Sequence, residues 1–113
     1  MSEQLLEHYP LKAIKIVHAD EETLLQFDEA ALYVDTADIS YAWFVDISGV
    51  ANRPLLNRLS QALDIAVMMY ARTETGLEVA GRGHLHPSLT ASHAALRGDG
   101  ELFGYEQIRE TSR

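Results

Sequence analysis

One apolar run limits what this chain can become. Residues 53–73 place Leu55, Leu59, Ala62, Leu63, Ala66 and Tyr70 at helical spacing, so that at about 100° per residue they share one face. Leu56, Val67 and Met69 widen that face to roughly 160° of arc, broader than an ordinary surface stripe. Asn52 precedes the run as an N-cap and Pro54 suits the first turn, where its missing N–H has no intrahelical partner. Arg72 would sit in the last turn and Gly76 would stop the helix. The spacing therefore predicts one long helix over 53–73, with every other apolar segment packing on it. Met68 would be apolar on the side where Asn57 and Asp64 meet water, either beneath a loop or in an intersubunit seam that adaptable Met side chains fill.

The sheet that such a helix would cover is legible in pieces. Residues 39–48 alternate Ile39, Tyr41, Trp43, Val45 and Ile47 with Ser40, Ala42, Phe44, Asp46 and Ser48, a period of two. The odd positions face the core, so the single tryptophan is buried and its indole N–H needs an acceptor. Phe44 points to the other face, under a terminal segment or in an interface. Residues 11–18 form a strand rich in β-branched side chains, and residues 20–27 read more as strand than as helix. Residues 2–9 have room for one or two helical turns, ended by Pro10. Residues 77–86 resume the period of two up to Pro87, with Gly81 and Gly83 marking a bulge or a close approach of another backbone. Residues 88–97 read as a short helix or, in their later part, as a strand. Gly98-Asp-Gly100 signals a hairpin pairing residues 94–97 with 101–108, and the tail after 108 is polar. The expected fold is α+β: an antiparallel sheet of four to six strands with the 53–73 helix across one face, in one domain spanning 1–113.

Composition narrows the function classes. A hydrophobic fraction of 47% supports a core without staples, and zero cysteine excludes disulfides and thiolate metal sites, which fits the cytoplasm. No apolar run is long enough for a membrane span, and the acidic N-terminus lacks a secretion signal. A net charge of −8, with Lys12 and Lys15 as the one local basic pair, argues against nucleic acid and anionic membranes as partners.

The strand at 77–86 carries the one constellation worth singling out. Alternation puts Glu78, Arg82, His84 and His86 on one face, with His93 a turn away. His84 and His86 at i and i+2 have the spacing of a metal-binding pair, and His93 or a carboxylate would have to supply a third ligand. Arg82 brings positive charge there and argues against a metal; a solvent-facing polar strand is the plainer reading. The stretch His84-Leu-His86-Pro-Ser88-Leu89 resembles the histidine-triad nucleotide hydrolases over about six residues, with Ser88 where the third histidine would stand. The resemblance would imply His86 as nucleophile. The His-x-His of cupins lacks its glutamate here. Neither a Gly-x-Ser-x-Gly elbow nor a phosphate-cradling glycine loop is present, and Asp35, Asp38 and Asp46 lack calcium-loop spacing. No cofactor is implied. The favoured expectation is a small non-enzymatic binding or interaction domain, with a homodimer through Phe44 or Met68 as one form. The alternative is a metal-assisted or nucleotide-type hydrolase built on His84, His86 and His93.

Overall fold

The computed structural model describes residues 6–37 and 42–111. Seven strands and two short helices follow in the order β1 (Leu6–His18), β2 (Glu21–Leu24), β3 (Glu29–Asp35), β4 (Trp43–Ser48), α1 (Arg53–Gln61), β5 (Ala66–Thr73), β6 (Glu78–Ser88), β7 (His93–Phe103) and α2 (Tyr105–Thr111). Every pairing is antiparallel, in the order β2-β1-β3-β4-β7-β6-β5. β5 returns to pair with β1 through Ile14↔Ala71 and Ile16↔Met69, which closes β1, β3, β4, β7, β6 and β5 into a six-stranded barrel.

This overturns the expected α+β fold. The run at 53–73 is not one helix: α1 ends at Gln61, Ala62 turns extended at ψ 143°, and β5 begins at Ala66. Leu63, which helical spacing assigned to the core, is fully exposed. Asp64 makes the break, because its Oδ1 accepts the Ala66 N–H at 3.0 Å, a local side-chain bond that competes with helix. His18 Nε2–H donates to the Asp64 carbonyl at 2.9 Å and pins the linker to the end of β1. Beyond the break, Val67, Met69, Ala71 and Thr73 point inward while Tyr70 and Arg72 point out. Without a long helix to cover it, a sheet with one dry face buries that face by curling on itself.

The interior is a packed core. Ile14, Ile16, Leu32, Val45, Ile47, Met69, Leu85 and Leu96 are completely buried within it, as expected for a barrel narrower than the eight strands that side chains just fill. Trp43, Val45 and Ile47 face inward as their alternation predicts; Ile39 and Tyr41 lie outside the described residues. α1 follows the C-terminal end of β4 and α2 that of β7. Because β4 and β7 are antiparallel neighbours, the two helices stand at opposite ends of the barrel. Leu55, Leu56 and Leu59 of α1 and Tyr105 and Ile108 of α2 are buried. Glu7 secures the α2 end, accepting the Tyr9 and Tyr105 hydroxyls at 2.6 and 2.5 Å.

Several turn signals serve other purposes. Leu6 to Tyr9 belong to β1, not to helical turns, and Pro10 lies within that strand, at the last register position shared with β3; residues 2–5 lie outside the described residues. Residues 20–27 contain the short strand β2, joined to β1 by Ala19 and Asp20, both at positive φ, the backbone of a two-residue hairpin turn. Gly76 turns β5 into β6. β6 runs through Pro87 to Ser88, and residues 93–103 form one continuous strand. The Gly98-Asp-Gly100 segment is therefore not a hairpin. Asn52 occupies the N-cap position of α1 but makes no side-chain cap. Its amide instead staples the link between β2 and β3, accepting the Gln26 N–H at 2.6 Å and donating to the Leu24 carbonyl at 3.4 Å. Asn52→Ala is expected to cost about 1 kcal/mol, read as a lowered urea midpoint, with Asn52→Asp retaining most of the stability through the shorter bond.

Candidate functional site

The alternation of β6 holds as the sequence predicts. Val79, Gly81, Gly83 and Leu85 are buried, while Glu78, Arg82, His84 and His86 take the outer positions. At about 3.4 Å per residue, Glu78 stands roughly 20 Å along the strand from His84. Its carboxylate is engaged by Arg72 of β5 at 3.0 Å. His84 is opposite Arg97 and His86 opposite Ala95 on β7, and His93 is opposite Ser88, one outer position beyond His86. His93 Nε2 lies 2.6 Å from Asp46 Oδ1 on β4. The barrel thus keeps Arg82, His84 and His86 together, takes Glu78 away and commits one nitrogen of His93 to a carboxylate. Among the described residues no three His, Asp or Glu side chains are grouped to hold a metal ion.

The two interface candidates are half a barrel apart. Phe44 points outward from β4, 40% exposed, with its ring stacked on Tyr33 at 4.8 Å and 15°. Met68 is half-buried on the outer face of β5, in register with Val17 and Arg82. Three steps around the six strands separate β4 from β5, so no flat contact includes both.

The surface that sequence reasoning missed lies on the β1–β5–β6 side. Register sets Leu24 beside Lys15, Lys15 beside Tyr70, Tyr70 beside Ala80 and Ala80 beside Phe103. Leu24 is 66% exposed, Phe103 53% and Tyr70 44%. All three line a concavity of about 570 Å³ together with Ala13, Lys15 and Arg72. Lys15 Nζ sits 4.8 Å over the Tyr70 ring and 3.5 Å from Glu22, so the charges at the floor are offset locally. Leu24 and Phe103 come from strands nearly eighty residues apart in sequence, and Tyr70 was hidden in the helical reading; what remained visible was an exposed charge two residues from each, Glu22, Arg72 and Glu101. No family model, curated protein or solved structure matches this chain.

Proposed function

We propose that the chain is a small, cytoplasmic, non-enzymatic binding or protein-interaction domain that meets its partner on the outer wall of a filled barrel. What supports this reading is the gathering of Leu24, Tyr70 and Phe103 in one concavity. Single exposed apolar side chains are ordinary, whereas a cluster of them in a hollow marks a contact surface. The volume is in the range of small-molecule and anchor-residue sites. The partner chemistry it suits is apolar, an aromatic or aliphatic side chain presented by another polypeptide, with a second copy of this chain as one such partner. No helix among the described residues is long and apolar enough to cross a membrane.

Light scattering and titration with the uncharged apolar dye Nile red, on wild type and on Leu24→Asp/Phe103→Asp, test this together. If a second copy covers the concavity, the wild type runs at twice 12.6 kDa and the double variant at 12.6 kDa. If the concavity is open, the monomer binds the dye and the double variant, still folded by circular dichroism, does not. A monomer that leaves the dye unbound removes the proposal.

A further inference from the structure

A second row of outer positions, running from β1 through β3, β4 and β7 to β6, combines aromatic rings with cations. Register aligns His8 with Tyr33, Tyr33 with Phe44, Phe44 with Arg97 and Arg97 with His84. The first three rings form a ladder, His8 to Tyr33 at 5.0 Å and Tyr33 to Phe44 at 4.8 Å. Among the described residues no further ring continues it, so the ladder ends at Phe44, 40% exposed, with Arg97 as its cross-strand neighbour on β7. Arg97 and His84 follow, and Arg82 is the next outer position along β6.

Two guanidinium groups without a carboxylate partner among the described residues meet on this face, whereas Lys12 and Arg53, which also lack one there, stand singly on β1 and α1. The chain carries −8 overall, and Lys15, Arg58 and Arg72 each stand against a glutamate. Arg82 and Arg97 have no carboxylate within ion-pair distance among the described residues. Asp46, the nearest outer acid on β4, is taken by His93 at 2.6 Å. Asp99 and Glu101 lie further along β7, past the glycine bend, and pair with neither arginine among the described residues. An acidic protein that leaves two guanidinium groups unmatched beside an exposed aromatic ring presents a local site for an anion.

We infer that the outer face of β4, β7 and β6 holds a site for a ligand with a planar aromatic ring next to an anionic group, a mononucleotide in size and chemistry. The ring extends the ladder by stacking on Phe44, and the anion is met by Arg97 on β7 and by Arg82 and His84 on β6. A ring stacked on Phe44 lies over the β7 position, so one strand spacing, roughly 5 Å, separates it from the His84 position, within the reach from a base to its 5′-phosphate. A single nucleotide fits better than a strand, because a longer polyanion would run from this patch onto an acidic surface. The Phe44 end of this site is three strands from β5, while its Arg82 end shares β6 with the apolar concavity, one outer position from Ala80.

The test is calorimetric titration of the full chain with adenosine 5′-monophosphate, adenosine and inorganic phosphate. The nucleotide is expected to bind saturably and at least about tenfold more tightly than either half. Phe44→Leu, which keeps an apolar side chain but removes the ring, and Arg97→Gln should each weaken it by roughly five- to a hundredfold. Phe103→Ala, in the other concavity, should leave it unchanged. No saturable binding up to roughly 10 mM, phosphate binding as tightly as the nucleotide, or equal affinity in Phe44→Leu would each overturn the inference.

Discussion

Met69→Asp is expected to leave no folded protein at 25 °C, while Leu63→Asp, six residues earlier, changes stability by less than about 0.5 kcal/mol. Met69 is completely buried among the core side chains of the barrel. A carboxylate there loses its hydration without gaining a partner and either stays neutral or opens the core, at a cost of several kcal/mol. That is comparable to the whole stability of a domain this size, about 5–15 kcal/mol. Leu63 sits in the linker between α1 and β5 with its side chain in solvent. A helix over 53–73 would instead have made Leu63 a core residue, so its substitution decides between the two architectures. Far-ultraviolet circular dichroism and a urea titration of both variants provide the readout; a severe loss from Leu63→Asp would contradict the break at Asp64.

That break shows where the sequence stopped being informative. Leu55, Leu56 and Leu59 are buried on α1 as helical spacing requires. Residues 65–71 contain no polar side chain, and an all-apolar run satisfies a period of 3.6 and a period of two equally well. Nothing between Pro54 and Gly76 is a glycine or proline, so the helix had no conventional terminator; the stop is one aspartate bonding two residues ahead. β6 was legible for the opposite reason. Glu78, Arg82, His84 and His86 alternate with apolar or glycine residues and admit one period only. The partners of that strand were not legible, because pairing is a long-range choice. Asp46 and His93 are 47 residues apart, and their contact exists only because β4 and β7 are neighbours in the closed barrel. The Phe44 ladder depends equally on registers that local pattern does not encode.

Gly98→Ala is expected to be strongly destabilising. Trp43 projects into the barrel, 3% exposed, and lies against glycine on two strands. A Cβ on Gly98 would stand 2.5 Å from the indole Nε1, and one on Gly81 2.5 Å from Cζ2. The indole N–H donates to the Gly100 carbonyl at 3.0 Å, so the ring cannot retreat without leaving a buried donor unmet. Gly81 and Gly98, which read as bulge and turn signals, are there because an indole occupies the space where their side chains would be, while a Cβ on Gly83 would meet the Arg97 carbonyl. Overpacking of this kind costs about 1–3 kcal/mol, and the lost indole bond brings Gly98→Ala to the upper end of that range. Gly76→Ala is the control: its φ of +94° strains any side chain, but nothing lies within 4 Å of the added carbon, so only the backbone term of about 1–2 kcal/mol remains. The decisive measurement is the same substitution made in a Trp43→Leu background. If the indole is what excludes a Cβ at Gly98, the urea-derived penalty of Gly98→Ala should fall well below its wild-type value, a coupling between directly touching residues. An unchanged penalty in the two backgrounds would mean that Gly98 answers to its own strand and not to Trp43.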